Sequence, residues 1–366
     1  MTVPFLDLAA AYREIANDID VAIARVCASG WYIGGEEVVQ FEAAFAAYCG
    51  TDYCVGVGNG LDALQLALRA CDIGPGDEVI VASNGYIATL LAVSNVGARP
   101  VPVEPDSATH NLDPAKIAAA ITPSTKAILP THLYGQPADL DAIRSIAQTH
   151  GLRLIDDAAQ AHGARYKDAP IGSGTDVSCW SFYPSKNLGA LGDGGAITTD
   201  DPELAARIRR LGNYGSSIRY VNEERGINSR LDPLQAAVLN AKLLHLAEWN
   251  GRRRAIAHFY TEALTDTDIV LPFCPSWAEP AWHQYVIRSD KRDRLAGHLK
   301  GAGIPTLIHY PIPPHRQAAY ADLGLAEGSL PIAEKLAKSV LSLPIGPHLT
   351  MDQAELVAEA VRGVVR

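Results

Sequence analysis

The chain has 366 residues, 48% of them apolar, which is too long for one compact core and enough to fill about two domains. Its formal net charge of −10 argues against nucleic acid as the main partner, and no apolar run approaches the roughly 18 residues of a membrane span. Residues 1–11 carry Asp7 and no basic-to-apolar leader, and the six cysteines (Cys27, Cys49, Cys54, Cys71, Cys179, Cys274) form no CxxC pair, so reduced thiols in the cytoplasm are the expectation.

In chain order, residues 10–28 read as one amphipathic helix, with Ile15, Ile19, Ala22, Ile23 and Val26 at helical spacing. Ser29-Gly30 ends it. Trp31 and Tyr32 then open a loop, where the aromatics either fill a core edge or cover a sugar or base. Glu36 to Gly50 is a second helix, with Phe41, Phe45 and Tyr48 on one side. A strand from Tyr53 to Val57 runs into Gly56-Val-Gly-Asn-Gly-Leu-Asp-Ala-Leu and a helix to Ala70. A glycine turn at a helix start is an anion site by geometry and dipole, or simply a tight turn. The spacing departs from GxGxxG because Leu61 stands where the last glycine is required, and no P-loop lysine follows.

Asp77 to Ala82 is a strand. Tyr86 follows at a strand-to-helix junction, where it either stacks on a flat ring or packs in the core. The helix Ile87 to Val96, strands Arg99 to Val103 and Lys126 to Pro130, the helix Pro114 to Ile121 between them, and the helix Leu140 to His150 continue an alternation. That alternation implies an α/β fold: a mixed, mostly parallel sheet with helices on both faces.

Two stretches carry the chemistry. Leu152 to Gly163 is an apolar strand ending in Asp156 and Asp157, whose side chains point to opposite faces. One of them faces the C-terminal end of the sheet, where open α/β sheets bind ligands, and a buried carboxylate there needs a partner. The strand Val177 to Tyr183 then delivers Lys186 onto a loop bounded by Pro184, Gly189, Gly192, Gly194 and Gly195. A lysine partly desolvated on such a loop loses its proton more easily and can form a Schiff base; a surface lysine on a turn is the alternative. A strand-end Asp with a loop Lys roughly 30 residues later fits pyridoxal phosphate, whose ring nitrogen takes an acid and whose aldehyde takes an amine.

Asp201 to Gly212 is a helix, and Arg207, Arg209, Arg210, Arg219, Arg225 and Arg230 cluster around and after it. They are either paired with acids or set for an anionic substrate. A long helix runs from Pro233 past Leu246 to Ala263. Beyond residue 265 the pattern changes to a strand Trp282 to Arg288, a helix Arg292 to Ala302, a strand Ile304 to Ile308, the proline loop His309 to His315, and helices over 331–341 and 350–365. The expected division is a large unit over 1–245 and a smaller C-terminal α+β domain over 246–366. The histidine spacing supplies no metal set.

Gly58-Asn-Gly-Leu-Asp-Ala-Leu64, His132-Leu-Tyr-Gly135, Asp156-Asp-Ala-Ala-Gln-Ala-His-Gly163, Ser181-Phe-Tyr-Pro-Ser-Lys-Asn-Leu-Gly189, Gly192-Asp-Gly-Gly195 and Asn228-Ser-Arg-Leu-Asp232 resemble the DegT/DnrJ family of pyridoxal-phosphate sugar aminotransferases, of fold type I (aspartate aminotransferase-like). Trp31-Tyr-Ile, Asn59-Gly-Leu-Asp and His309-Tyr-Pro-Ile-Pro-Pro-His resemble the branch that aminates C3 of dTDP-linked 3-keto-6-deoxyhexoses. The resemblance implies Lys186 as the Schiff-base lysine, Asp157 on the pyridine nitrogen, Gln160 on the ring hydroxyl and Tyr86 stacked on the ring. It implies a phosphate held by the backbone of Gly60 and Leu61, by Ser181, and by Asn228 from a neighbouring subunit of a homodimer. Many relatives have Thr or Ser where Leu61 stands, so only backbone can serve at that position. Tyr183, Arg219, His309, Tyr310 and His315 are the implied sugar-site residues, and L-glutamate is the implied donor. Amination of a C4-keto sugar or of a UDP-linked 3-keto uronic acid, and a non-catalytic cofactor-binding regulator, remain open on the same scaffold.

Overall fold

The computed structural model describes residues 3–364. The first part of the chain contains helices Leu8–Glu14 (α1), Ala16–Ser29 (α2), Glu36–Cys49 (α3), Gly60–Ala70 (α4), Ile87–Asn95 (α5), Pro114–Ile117 (α6) and Leu140–His150 (α7). Strands Tyr53–Val57 (β1), Glu78–Ala82 (β2), Arg99–Val103 (β3), Thr125–Leu129 (β4) and Arg153–Asp157 (β5) alternate with them. Two-residue strands Arg165–Tyr166 (β6) and Ala169–Pro170 (β7) precede Val177–Ser181 (β8) and Gly195–Thr199 (β9). Helix Pro202–Gly212 (α8) then leads to a small hairpin, Ser216–Ile218 (β10) and Val221–Asn222 (β11). Helices Pro233–Leu243 (α9) and Leu246–Leu264 (α10) follow, then Ala278–Glu279 (β12), Tyr285–Arg288 (β13), Arg292–Gly301 (α11), Pro331–Ser339 (α12), Val340–Leu343 (β14) and Met351–Arg362 (α13).

The central sheet has seven strands in the order β1-β9-β8-β5-β4-β2-β3. Neighbours from β8 to β3 are parallel, whereas β9 runs antiparallel to both β1 and β8. Both faces are covered, as the alternation of strand residues requires. Val79, Val81, Leu129 and Ile155 pack with Leu64 and Leu68 of α4, while Ile80, Ile128 and Leu154 pack on the opposite side with Ile117 and Ile143. Side-chain caps fix the helix starts that matter for position. Asn59 accepts from the Asp62 N–H at the start of α4, and Asp201 caps α8 with Pro202 in its first turn. A separate apolar cluster joins Ile256, Tyr260 and Leu264 of α10 to Tyr285, Ile287, Leu341, Leu343 and Val357 in the C-terminal part.

Several sequence expectations change. The helix over 10–28 breaks into α1 and α2 at Ile15, whose φ of −124° and ψ of 30° leave the helical region. The long helix from Pro233 breaks at Leu244 and His245, so α9 and α10 are separate. The strand over Ile304 to Ile308 reduces to one bridge between Leu307 and Ser342, and the end of the helix over 331–341 is instead the start of β14, because Val340 adopts extended backbone. The β13 strand begins only at Tyr285, three residues after Trp282 takes a φ of 48°. Strand β9 is a further element, since its glycine-rich approach reads as loop in the sequence. Trp31 and Tyr32 are exposed, which sets aside their packing in a core edge. No helix of the described residues is long and apolar enough to cross a membrane.

The β8–β9 pairing sets Trp180 opposite Ala196, and its buried indole N–H donates diagonally to the Thr198 hydroxyl at 2.9 Å. Thr198→Val keeps the shape and removes the acceptor. It is expected to destabilise the fold by about 1–3 kcal/mol, read as a lower midpoint in urea denaturation.

Candidate active site

The ends of β5 and β8 build the site. Asp156 and Asp157 point to opposite sides, as successive strand residues must. Asp156 is fully buried beside His132, whose Nε2 lies 3.2 Å from its Oδ2. The Nδ1 of His132 accepts from the Ala138 N–H, which leaves the ring proton on the nitrogen facing the carboxylate. Asp157 is held differently. Its Oδ2 accepts from Thr89 at 2.7 Å and from Thr131 at 3.5 Å, and its Oδ1 accepts from the Ala159 N–H. Three neutral donors fix this carboxylate without neutralising it, so it keeps its attraction for a cation. Sequence reasoning missed both threonines. The only signal they carry is that Thr89 lies in the first turn of α5 and Thr131 just past β4, both at the sheet's C-terminal edge.

Lys186 sits on the loop after β8. Its backbone N–H donates to the Tyr183 carbonyl, and the Ala190 N–H returns to Phe182 to close the turn. A Cβ at Gly189 would collide with the Pro184 carbonyl, so the loop closes only with glycine there. The Lys186 amine has no hydrogen-bond or ion-pair partner among the described residues. Burial lowers its pKa to about 8, against the opposing attraction of Asp157. The next residue anchors the loop. Asn187 donates to the Asn250 side chain and the Ala281 carbonyl, and its Oδ1 lies 3.1 Å from Nδ1 of His283. An amide oxygen only accepts, so His283 carries its proton on Nδ1. Burial first, then the charge of Lys186, holds three histidines below their ordinary pKa: His162 to about 3, His309 to about 4, and His283 well down. All three are neutral at physiological pH.

Opposite the loop, Gly60 opens α4. The N–H groups of Gly60 and Leu61 belong to the first helical turn and have no intrahelical acceptor. A Cβ at Gly60 would stand 2.7 Å from Cβ of Ser181, so glycine permits the helix start and the end of β8 to meet. The Leu61 side chain packs on the core beside the sheet. Together these groups form a concave donor set at a positive helix end, suited to a phosphate.

The rim is aromatic. Tyr86 is 54% exposed, which sets aside its reading as a core residue, and its ring centroid lies 5.2 Å from that of Tyr310. Gln160 donates to the Tyr310 hydroxyl at 3.3 Å and accepts from the Tyr134 N–H at 2.6 Å. The Tyr134 hydroxyl donates to the His309 carbonyl, and Nδ1 of His309 pairs with Ser342 at 2.7 Å. Tyr183 lies exposed on the Lys186 loop. Tyr134, at a φ of 62°, is thus a further member, present in the sequence only within the His132-Leu-Tyr-Gly135 motif and without an assigned contact.

Three expected residues are not drawn into this cluster within the one chain. His315 is buried with its Nε2 3.4 Å from Glu334, in the turn Pro314–Arg316. Arg219 lies on the hairpin between β10 and β11, over the ring of Tyr220. Asn228 is exposed and bridged to Asn213. Among the other arginines, Arg207, Arg209 and Arg210 are paired with Asp72, Glu42 and Glu224, so much of the basic excess is internally balanced.

A Lys186 pKa of about 8 fixes how its reactivity runs with pH. Below pH 8 the amine is charged and unreactive; above it the neutral form dominates. Trapping of an aldehyde on Lys186 by borohydride is therefore expected to rise about tenfold per unit below pH 8 and level off above it. Peptide mapping across a pH series checks this; a rise that continues past pH 10 would show an ordinary surface amine.

Comparison with known proteins agrees with this geometry. Residues 13–362 match the model of the DegT/DnrJ/EryC1/StrS aminotransferase family. The chain is 58% identical over 363 residues to the erythromycin biosynthesis sensory transduction protein EryC1 of Saccharopolyspora erythraea, covering 99% of both. It is 57% identical over 361 residues to the dTDP-3-amino-3,4,6-trideoxy-alpha-D-glucose transaminase of Streptomyces venezuelae, covering 98% of this chain and 95% of that one. Among solved structures, S. venezuelae DesV in complex with a ketimine intermediate superposes with a TM-score of 0.98 at 56% identity, covering 99% of this chain and 98% of that one. With its lysine, aspartate and helix-end cradle assembled on one sheet edge, the chain belongs to the DegT/DnrJ/EryC1/StrS aminotransferase family.

Proposed function

We propose that this aminotransferase moves an amino group from L-glutamate to the C3 keto carbon of a dTDP-linked 3-keto-6-deoxyhexose, giving a dTDP-3-amino-3,6-dideoxyhexose, with pyridoxal phosphate as cofactor. The observation that carries this reading is the unpartnered, desolvated amine of Lys186, set where Asp157 also acts on it. The residues fit the cofactor. A cradle of free helix N–H groups lies at Gly60 and Leu61, a fixed carboxylate at Asp157, and an unpaired amine between them in sequence and function. Pyridoxal phosphate, when bound, supplies an aldehyde for an amine and a cationic ring that withdraws electrons from the bond to be broken.

The chain's own groups divide the work. Asp157, fixed by Thr89 and Thr131, would hold a proton on the pyridine nitrogen. Gly60, Leu61 and the Ser181 hydroxyl would bind the phosphate, Tyr86 would cover the ring, and Gln160 would hold its hydroxyl. Lys186 would hold the cofactor through its amine and would serve as the base that moves a proton during transfer, a role suited to an amine with a pKa of about 8. The neutral histidines beside it avoid competing for that proton. Tyr183, His309 and Tyr310 surround the sugar; His315, engaged by Glu334, leaves the set. Exposure of Asn228 and Arg219 away from their own Lys186 loop supports a homodimer in which each completes the partner's site, Asn228 at the phosphate and Arg219 at the diphosphate. Six free thiols suit a cytoplasmic location. The break at Leu244 and His245 supports a division into 1–245 and 246–366.

Purified protein incubated with cofactor is expected to show the cofactor's absorption band, to lose it on addition of L-glutamate, and to regain it with the dTDP-linked 3-keto sugar. UDP-linked and C4-keto sugars assayed beside it decide the acceptor. A band that L-glutamate does not bleach would instead favour a regulator. Lys186→Ala is expected to lower turnover at least about 10²–10⁴-fold. Arg219→Ala is expected to raise KM for the sugar about tenfold, as loss of a hydrogen bond to a charged group implies; an unchanged KM removes Arg219 from the site.

A further inference from the structure

Tyr134 stands where the sheet and the C-terminal part of the chain meet. It lies in the turn Leu133–Gly135, after β4, at a φ of 62°, a conformation that a side chain of its size rarely adopts. Contacts on several sides hold it there. Its N–H donates to Oε1 of Gln160 at 2.6 Å, and its carbonyl accepts from the Gln284 N–H at 3.2 Å. Gly135, at a φ of 89°, packs so closely that a Cβ would stand 2.9 Å from both the Gln160 carbonyl oxygen and the His283 backbone nitrogen. The Tyr134 ring reaches the other way. It packs with Val286, Leu336 and Val340, and its hydroxyl donates to the His309 carbonyl. Burial pushes that hydroxyl well above its ordinary pKa, so it stays a donor across the working pH range.

The partners on the two sides have different work. One N–H of the Gln160 amide goes to the Tyr310 hydroxyl at 3.3 Å, and the other meets no acceptor among the described residues, which suits the cofactor's ring hydroxyl. His309 opens the proline loop. Ser342 holds its ring from within the C-terminal part at 2.7 Å, whereas the Tyr134 hydroxyl holds its backbone from the end of β4. One turn therefore carries the group for the cofactor's edge on its backbone and the loop for the acceptor on its side chain. Spacing matters here, because a misplacement of about 1 Å between reacting groups costs about 10²-fold in rate. We propose that Tyr134 is a positioning residue for the amino acceptor: its backbone fixes Gln160, and its hydroxyl fixes the His309–Tyr310 segment at a set distance from the cofactor. The inference rests on the aminotransferase reading above. Tyr134 acts through its neighbours, so loss of its hydroxyl separates the two half-reactions. Amine transfer from the donor depends on Lys186, and transfer to the sugar depends on this loop as well.

Tyr134→Phe keeps the ring, its packing and the backbone N–H, and removes the hydroxyl alone. In holoenzyme, kcat/KM for the dTDP-linked 3-keto sugar is expected to fall about tenfold, while the rate at which L-glutamate bleaches the cofactor band stays within about twofold. Calorimetry with the dTDP-linked 3-amino sugar is expected to show binding about tenfold weaker than in wild type. Hydrogen exchange is expected to quicken over residues 307–312 and to match wild type over 153–160. A loss shared equally by the two half-reactions would mark a merely structural residue and overturn the proposal. So would affinity for the amino sugar within about twofold of wild type, or unchanged exchange over 307–312. If the amino sugar binds wild type and weakens in the variant, but L-glutamate leaves the wild-type band intact, Tyr134 keeps its role and the amino-transfer reading fails.

Discussion

Partly withdrawing the Lys186 amine from water without giving it a partner is the constraint on which the rest of the site depends. A charged ammonium in that position is costly, and the cost appears as a pKa drawn down to about 8. An ion pair with Asp157 would cancel the effect by restoring the charged form. The structure keeps the two groups within electrostatic reach and satisfies Asp157 with hydroxyls and an N–H instead. The carboxylate is thus fixed without an ion-pair partner, and the amine remains available. The geometry of β5, β4 and α5 serves that separation.

The surroundings obey the same electrostatic logic. Three histidines near Lys186 are buried and neutral, so the cleft gains no further positive charge from them at physiological pH. Asn187, next in sequence to Lys186, is tied at three points to Asn250, Ala281 and His283, which come from α10 and the segment before β13. The loop is therefore anchored on elements from the C-terminal half, and displacement there would move the amine. Arg253, one turn along α10 from Asn250, binds the carbonyls of Trp282 and His283 in the same segment.

The family framework and the acceptor specificity reside in different parts of the molecule. Lysine, aspartate and phosphate cradle stand at the edge of a packed parallel sheet, where position is fixed by the core. The candidate groups around the rim stand on exposed or aromatic loops: Tyr183, Tyr310 and the hairpin carrying Arg219. Loop chemistry of that kind changes without disturbing the sheet, which is how one scaffold serves nucleotide sugars of different configuration.

Much of this was determined by local sequence. Short, nearly continuous apolar runs fixed the parallel strands, because a strand covered on both faces has little choice of residue. The glycines around Lys186 and at the start of α4 announced close backbone approach, and Asp157 at a strand end announced a buried carboxylate. What sequence alone could not determine depended on contacts distant in the chain. Strand β9 looked like loop until its pairing with β1 and β8 supplied hydrogen bonds for a glycine-rich start. His315 resembled its neighbour His309 in sequence, yet packing turned it to Glu334. Thr89 and Thr131 carry no motif; they acquire meaning only because folding brings α5 and the end of β4 against the Asp157 carboxylate.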